Sequence, residues 1–411
     1  MVTKSLDVKL AKIRANPACG EFIIADAKDA DMAFGIASPG KSPEHYAQEG
    51  KFRSLPEFHE CIRQVVRQGL VDIMLMSAHA NDLLTIRERL FDDSHVTPAA
   101  RANDTTDVHV IREGTYIRQP SRPFRTATIE QIQCGRVECG PQERSLGANL
   151  GLYSVTFNND LELDLRTLEQ YREFRLEAEK KGFRHFLEVF DPNAPCNPIP
   201  EDKIGAYIND MIVRSLAGVP EAGRPLFLKM VYHGPKWTEE LAGYDPKLVI
   251  GILGGSAGTT YDAFKMIAEA QKYGARVALY GRKINNAENQ LAFIEMLRRI
   301  VDGQISPEEA VRAYHGVLAG LGIRPYRSLE DDLQLTAANM SYGGGGQVRV
   351  PAAVPRPPAA PASRPADAGR AAAAGTSSSR HPAPGHNGQP DFSRMNSQER
   401  AAYFRQRLSR L

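Results

Sequence analysis

A lysine inside an apolar segment is the residue of this sequence most suited to covalent chemistry. Lys229 stands in the run Leu226–Val231, whose other members are apolar. Burial there would favour the neutral amine, which can attack a carbonyl carbon and form an imine. An imine accepts electrons when a neighbouring C–C bond breaks or forms, so the segment predicts Schiff-base chemistry. The alternative is a lysine that extends to solvent at the end of a strand.

Two glycine-containing turns follow this lysine at the spacing of successive strand–helix units. One turn directly follows the run Leu248–Leu253, and the other follows Val277–Tyr280. Backbone N–H groups at such turns, a helix N-terminus and an arginine can together bind phosphate. Glycines also occur in plain turns, and their position after two consecutive strands favours the functional interpretation. The predicted phosphate-binding residues are Gly254, Gly255, Ser256, Gly281 and Arg282.

Further polar residues lie in or near the apolar runs and are candidates for moving protons. Asp26 ends the first run, Glu188 interrupts Phe186–Phe190, and Tyr232 follows Lys229 by three residues. A carboxylate beside an amine can orient it or transfer a proton. The alternative is a buried acid paired with a base for structural reasons. No spacing of His, Cys, Asp or Glu matches a metal site, so neither metal nor cofactor is predicted.

The elements that must position these residues alternate between strand-length apolar runs and amphipathic segments. This alternation predicts an α/β protein with a parallel sheet. Eight runs fit the (β/α)₈ TIM barrel, whose active sites lie at the C-terminal ends of the strands. The predicted strands are Phe22–Ala25, Val71–Met76, Val108–Ile111, Leu152–Phe157, Phe186–Phe190, Leu226–Val231, Leu248–Leu253 and Val277–Tyr280. An inserted excursion is predicted for 114–148, which contains three prolines.

The composition divides the chain into four parts. We assign 1–320 to the barrel and 321–342 to a C-terminal extension. Segment 343–390 consists mainly of Gly, Pro, Ala and Ser, which cannot bury enough apolar area to fold, so a disordered linker is predicted. Segment 391–411 regains aromatic residues, and its apolar stripe with a cap at Asn396 predicts a short amphipathic helix.

Charge and cysteine content limit the class of protein. From Gly343 onward, ten arginines and three acidic residues give +7, which leaves −5 for the rest of a chain whose total is +2. Five scattered cysteines indicate free thiols in a reducing compartment. No apolar run reaches the roughly 18 residues of a membrane span. The charged segment 1–18 lacks the apolar core of a secretory signal. We therefore predict a cytoplasmic protein.

With these residues in view, 20–303 resembles the class I, Schiff-base aldolases of the archaeal-type fructose-bisphosphate and deoxyribose-phosphate aldolase superfamily. Lys229, Tyr232 and Gly234 are similar to the K-x-x-Y-x-G motif around the imine-forming lysine. Gly254-Gly255-Ser256 and Gly281-Arg282 resemble the strands that bind phosphate, and Asp26 is in the position of the first-strand aspartate. The strand containing Glu188 resembles the tagatose-bisphosphate aldolases. The resemblance implies a lyase acting on a phosphorylated carbonyl compound.

The chain also departs from this pattern. The fructose-bisphosphate aldolases have a proton-donating tyrosine where Phe190 stands, and the Asp-His-Gly after the first strand is Asp26-Ala27-Lys28 here. The sugar and the proton-transferring residue are therefore open, with Tyr232 and Glu188 as candidates. Two other functions remain open: a thiolase-like acyl transfer that keeps the lysine, and a non-catalytic scaffold.

The tail resembles the encapsulation peptides that direct enzymes into bacterial microcompartments. This resemblance implies that 391–411 docks on a shell protein or a partner enzyme inside such a compartment. The alternative is a basic arm for nucleic acid or anionic lipid, which the apolar stripe disfavours. Barrels of this type often self-associate, so a homo-oligomer is expected.

Overall fold

A closed barrel of eight parallel strands positions the residues discussed below. The computed structural model describes residues 2–42, 52–255 and 258–336. Successive strands pair in parallel, and the last returns to pair with the first, which confirms the predicted (β/α)₈ barrel. The strands are β1 (Ile23–Lys28), β2 (Ile73–Met76), β3 (Thr97–Arg101), β4 (Leu150–Thr156), β5 (Arg184–Phe190), β6 (Leu228–Met230), β7 (Gly251–Leu253) and β8 (Val277–Tyr280).

Helices surround the barrel and connect its strands. Ser306 begins one of them with the predicted capping box, since its hydroxyl accepts the N–H of Glu309 and its own N–H donates to the Glu309 carboxylate. A π-helical segment, Asp82–Arg87, continues directly from the third helix. The α-helices are α1 (Ser5–Ala15), α2 (Leu55–Gln68), α3 (Ala78–Asn81), α4 (Ile129–Cys134), α5 (Leu161–Lys181), α6 (Ile204–Ala217), α7 (Pro235–Tyr244), α8 (Thr260–Lys272), α9 (Arg282–Asn285), α10 (Gln290–Val301), α11 (Pro307–Gly320) and α12 (Leu329–Asp332).

Along each strand, the side chains point alternately into the lumen of the barrel and into the layer between the barrel and the helices. Ile23 and Ala25 of β1 belong to the lumen core, where Phe186 and Phe227 stack with ring centroids 4.6 Å apart. Ile24, between them in sequence, packs in the outer core with the surrounding helices. This alternation decides which polar side chains of a strand can reach the lumen.

Helix α1 covers the N-terminal end of the lumen. Its Leu6, Leu10 and Ile13 are buried and lie in the same core as the lumen-facing strand residues. The spacing of four and three residues places them on one side of the helix. The lumen is therefore filled and covered at this end, and its polar groups lie toward the C-terminal ends of the strands.

The third strand differs from the prediction. It is β3, Thr97–Arg101, and the predicted run Val108–Ile111 lies outside the sheet. The prediction depends on bulky apolar residues, whereas β3 has only small residues and Pro98 before Arg101. This proline is tolerated because the N–H of Thr97 points to the β2 side, toward Asp72, so the N–H that Pro98 lacks would point to β4. Pairing with β4 begins only at Ala100.

Residues 102–149 form an excursion between β3 and β4. It contains a short antiparallel pair, Asp104–Thr105 with Pro123–Phe124, followed by α4. Val108 is buried in a cluster with Phe190, Val231 and Leu253, at the mouth of the barrel. The N–H of Val110 donates to the carbonyl of Ala33 at 2.7 Å. The segment predicted as a strand instead covers part of the barrel mouth, and the predicted excursion begins about a dozen residues earlier than expected.

The C-terminal extension packs on the helix that follows β7. Asp332, at the end of α12, accepts the N–H of Thr260 at 2.8 Å, and the N–H of Thr336 donates to Asp262 at 2.8 Å. The predicted linker and terminal helix lie outside the described residues. Within the described ranges, no helix is long and apolar enough to cross a membrane.

Candidate functional site

Lys229 lies on the lumen side of β6 and faces a carboxylate of the neighbouring strand. It has the same orientation as Phe227 and Val231, two residues before and after it, and its side chain is 5% exposed. Glu188 is its register partner on β5, and the Lys229 Nζ is 2.5 Å from the Glu188 Oε1. The structure therefore brings together these two predicted residues in a buried amine–carboxylate pair.

The second oxygen of Glu188 is bound on the opposite side. The hydroxyl of Ser154, on β4, donates to the Glu188 Oε2 at 2.7 Å. The Nη2 of Arg101, on β3, is 3.6 Å from the same oxygen. Glu188 is fully buried, so these contacts fix the plane of its carboxylate and direct the Oε1 toward Lys229.

Arg101, Asp29 and Asp104 complete a charged cluster that the sequence interpretation missed. The Arg101 Nε donates to the Asp29 Oδ2 at 2.7 Å, and its Nη1 is 3.4 Å from the Asp104 Oδ1. Burial raises the pKa of Asp29, but the charges of Arg101 and Lys229 outweigh it and hold this pKa below its ordinary value. Burial raises the pKa of Asp104 to about 6, against the opposing effect of Arg101. The cluster thus contains carboxyl groups of unlike acidity.

Asp26, predicted to act with Lys229, lies on the other face of its strand. Its register partners Met74 and Tyr280 belong to the outer core, whereas its sequence neighbours Ala25 and Ala27 face the lumen. The Asp26 Oδ2 accepts from the Nζ of Lys28 at 2.8 Å, and both side chains are fully buried. Burial raises the pKa of Asp26, and Lys28 opposes this shift. Asp26 is therefore part of an ion pair in the outer layer and is not brought to Lys229.

Tyr232 also points away from the lumen. It lies in the outer core, and burial raises the pKa of its hydroxyl, an effect to which Glu269 of α8 and Glu239 of α7 add. Its buried hydroxyl has no hydrogen-bond partner among the described residues. It lies three positions after Lys229, an odd offset, which places the two side chains on opposite faces where the chain is extended.

The predicted phosphate turns line one cleft together with Lys229. Gly254, Gly255, Gly281 and Arg282 lie along it, and Asp29 and Arg101 line it as well. The cleft is narrow, with a cavity volume of about 30 Å³. The guanidinium of Arg282 lies over the ring of Phe34, 5.3 Å from its centroid. Ser256 lies outside the described residues.

The glycines of these turns are needed for packing as well as for access. A Cβ on Gly281 would approach the carbonyl oxygen of Ala27 to 2.7 Å, and one on Gly254 would meet the ring of Tyr280 at 2.3 Å. Gly255 has a φ of 56°, which favours glycine. The close packing of β7 and β8 on their neighbours therefore leaves backbone along the cleft at these positions.

The N-terminus of α8 does not provide a free phosphate site. The N–H of Thr260, in the first turn, donates to Asp332 of the extension. The N–H of Thr259 donates to the carboxylate of Asp262, which forms a capping box. A phosphate in the cleft would therefore depend on Gly255, Gly281 and Arg282 rather than on these N–H groups. Over the described part of the chain, no three His, Cys, Asp or Glu side chains are grouped as a metal site.

Solved structures with the same fold include several aldolases. An archaeal fructose 1,6-bisphosphate aldolase is 17% identical over 72% of this chain and 99% of its own, with a TM-score of 0.51. A Schiff-base-forming fructose-1,6-bisphosphate aldolase is 17% identical over 71% of this chain and 99% of its own, also with a TM-score of 0.51. The fructose-bisphosphate aldolase of Slackia heliotrinireducens is 12% identical over 75% and 89%, with a TM-score of 0.53.

These likenesses confirm the resemblance to the Schiff-base aldolases at the level of the fold. The identities are too low to carry a function from those proteins to this chain. No family model matches the sequence, and no curated protein matches it. The side chains in the lumen therefore carry the evidence about function.

Proposed function

We propose that this protein is an aldolase-type lyase that breaks or forms a C–C bond of a phosphorylated carbonyl compound through an imine on Lys229. The observation that carries the proposal is the buried contact between the Lys229 Nζ and the Glu188 Oε1, 2.5 Å apart on the wall of the cleft. A lysine in that place has an access route for substrate, a partner for its proton and a low-dielectric surrounding.

The covalent steps follow from the amine. Neutral Lys229 adds to the substrate carbonyl, and loss of one water gives the protonated imine. A base then takes the proton from the hydroxyl on the carbon β to the imine carbon. The bond between the α and β carbons breaks, its electron pair passes to the imine to give an enamine, and an aldehyde leaves. Protonation of the enamine at carbon and hydrolysis by one water return the amine and release the second product.

Glu188 is the group best placed to exchange protons with the amine. It contacts Lys229 directly, and its carboxylate can accept the ammonium proton before the attack and return a proton as the carbinolamine loses water. Phe190 cannot transfer a proton, and Tyr232 points to the outer layer. Asp29 and Asp104 are further acid–base candidates in the cluster, and a pKa of about 6 suits Asp104 to both roles near neutral pH.

The phosphate of the substrate would lie at the other end of the cleft. Gly255 and Gly281 bring backbone close to the open space, and Arg282 adds a planar cation suited to phosphate oxygens. The distance along the cleft between Lys229 and this end would then limit how many carbons separate the carbonyl from the phosphate.

Borohydride trapping tests the proposal. The protein is incubated with a panel of ketose and aldehyde phosphates and reduced, and the modified peptide is mapped by mass spectrometry. We expect a stable adduct on Lys229, lost in Lys229→Met and retained in Lys283→Met, a control at a partly buried lysine whose pKa burial lowers to about 8. Absence of an adduct with every carbonyl compound, from folded protein, would exclude the imine mechanism. Turnover that requires a thiol would favour acyl transfer.

We propose in addition that residues 391–411 recruit the enzyme to a microcompartment shell or a partner enzyme. The support is the composition and amphipathic pattern of this segment, which lies outside the described residues. A fluorescent protein fused to 391–411 should concentrate at shells in cells that make them. A fusion in which Phe404 and Leu408 are both replaced by serine should stay diffuse, and a diffuse unaltered fusion would contradict the proposal.

A further inference from the structure

Arg101 is a buried cation that the proposed chemistry does not yet use. Its side chain is 3% exposed, and it lies at the C-terminal end of β3 on the wall of the cleft. It contacts Asp29 at 2.7 Å, Asp104 at 3.4 Å and Glu188 at 3.6 Å. Its Nη1 also donates to the hydroxyl of Ser154 at 3.3 Å. One guanidinium thus contacts side chains from four different parts of the chain.

We propose that Arg101 is a positioning residue, which pairs with Asp29 and holds the Glu188 carboxylate in the orientation that contacts Lys229. The planar guanidinium has donors in several fixed directions, so it can contact the three carboxylates at once. An ammonium group is a compact point charge and cannot reproduce these directions. The proposal rests on the proposed function for its kinetic readout, and it has a second readout that needs no substrate.

The charges of the cluster explain why Arg101 is required. Three carboxylates, of Asp29, Asp104 and Glu188, lie with two cations, Arg101 and Lys229, in a buried region. Removing Arg101 would leave the carboxylates with one of these two cations. Buried carboxylates that lose a cation take up protons, because burial disfavours their charged form. Asp29 is the most affected, since Arg101 is the strongest of the charges that hold its pKa below the ordinary value.

The consequence is a pH dependence of known sign. The groups facing Arg101 include Asp29, Asp104, Glu188 and Ser154. Asp29 itself also interacts with Lys229 and with the buried carboxyl groups of Asp26 and Asp31. In Arg101→Gln, burial would raise the pKa of Asp29 without that opposing charge, so the acid limb of the pH–rate profile should move to higher pH. A rise of one unit in the pKa of Asp29 lowers its ionised fraction about tenfold on the acid side of the profile and leaves this fraction unchanged at alkaline pH.

The experiment compares Arg101→Gln, Arg101→Lys and Arg125→Gln. Arg125 is a matched control, because it pairs with Glu177 at 2.6 Å outside the cleft. The kinetic readout is the rate of adduct formation on Lys229 from about pH 5 to 9. The second readout is difference infrared spectroscopy at about pH 7.5, more than one unit above the pKa of Asp104, which is about 6. A protonated carboxyl group gives a band that carboxylates lack.

We expect Arg101→Gln to show this band and a shifted acid limb, with about a tenfold loss of rate near pH 6 relative to its alkaline plateau. Adding Asp29→Asn should weaken the band, and adding Asp104→Asn as well should remove it, because Arg101 also lowers the pKa of Asp104. Arg101→Lys keeps a positive charge, so the acid limb of its pH–rate profile should match the wild type. Because Glu188 is then misplaced, the rate of adduct formation should fall by the same factor at every pH. Arg125→Gln should match the wild type in both readouts.

The outcomes separate this inference from the proposed function. If Arg101→Gln loses rate equally at every pH, with no infrared band and no shift of the acid limb, the positioning role is overturned while the imine mechanism is unaffected. If Arg101→Gln does not fold, Arg101→Lys tests the role by itself, and a wild-type rate of adduct formation at every pH in that variant would overturn it. Failure of the wild type to form any adduct, together with a band in Arg101→Gln, would overturn the imine and support the role of Arg101.

Discussion

Two buried lysine–carboxylate pairs lie in this barrel, and only one of them faces a cleft. Lys229 and Glu188 are 2.5 Å apart on the lumen side, whereas Lys28 and Asp26 are 2.8 Å apart in the layer beneath the helices. Both pairs are nearly or fully excluded from solvent. Both lysines are thus buried and paired with a carboxylate, and what separates a reactive lysine from a structural one is the face of the strand from which it projects.

Replacement of the two lysines by methionine is the strongest test of this comparison. Lys229→Met should lower turnover by at least about a thousandfold, because it removes the nucleophile. Lys28→Met should keep the Lys229 adduct but lower the free energy of unfolding by about 3–5 kcal/mol, because Asp26 is left buried and unpaired. Borohydride trapping and chemical denaturation measure the two effects.

The double variant Asp26→Asn with Lys28→Met provides the control. It removes both outer charges, so most of the lost stability should return. If Lys28→Met abolished the adduct in folded protein, the outer pair would have a role in the chemistry and the comparison would fail.

Replacing the carboxylates of the two pairs should show the same difference between the lumen side and the outer layer. Glu188→Gln should lower the rate of imine formation by about 10²–10⁴-fold, because the amide cannot exchange a proton with Lys229. Asp26→Asn should change it by less than about threefold. Single-turnover rates with a trapped carbonyl compound measure both, and equal losses in the two variants would refute the assignment of faces.

The raised pKa of Asp104, on the lumen side, should make the stability of the protein depend on pH. Its folded pKa of about 6 lies above the ordinary value of 3.8, so the native state binds the proton more tightly and wild-type stability falls as pH rises from about 4 to 6. Asp104→Asn should remove this fall and be more stable above pH 6, by on the order of 2 kcal/mol. Urea titrations at several pH values test this, and parallel pH curves for the two proteins would contradict it.

The smallest effect is expected at Tyr232. Its hydroxyl is buried in the outer layer without a partner among the described residues, so Tyr232→Phe removes no hydrogen bond there. Turnover should stay within about twofold and the free energy of unfolding within about 0.5 kcal/mol. A loss of activity greater than tenfold would return Tyr232 to the list of catalytic candidates.

The sequence was sufficient to predict the barrel, seven of its strands, and the meeting of Lys229 with Glu188. It could not show which residues of β1 face the lumen, because every residue of Ile23–Lys28 is buried and no apolar–polar alternation marks the lumen side. Asp26 is therefore predicted only from its position along the strand. In the structure, Asp29, three residues later, is the aspartate that lies in the cluster with Arg101.

The sequence does not reveal Arg101 and Asp104, because β3, which ends at Arg101, has few of the residues that mark a strand. Its residues 97–100 have short side chains, and the bulkier run at Val108 favours the wrong segment. The available signal was an arginine followed three residues later by an aspartate, directly after a run of small residues. Contacts among side chains from β1, β3, β4 and β5 depend on barrel closure, which no local pattern encodes.

The covering of the lumen by α1 has a kinetic consequence. With Leu6, Leu10 and Ile13 packed across the N-terminal end, the mouth is the route by which both fragments of a cleaved substrate would depart. The fragment bound to Lys229 cannot depart before hydrolysis, so the free aldehyde must leave first and clear the passage. In the direction of synthesis the order reverses, and the carbonyl donor must enter before the aldehyde. Saturating aldehyde would then obstruct the donor, giving substrate inhibition in that direction alone.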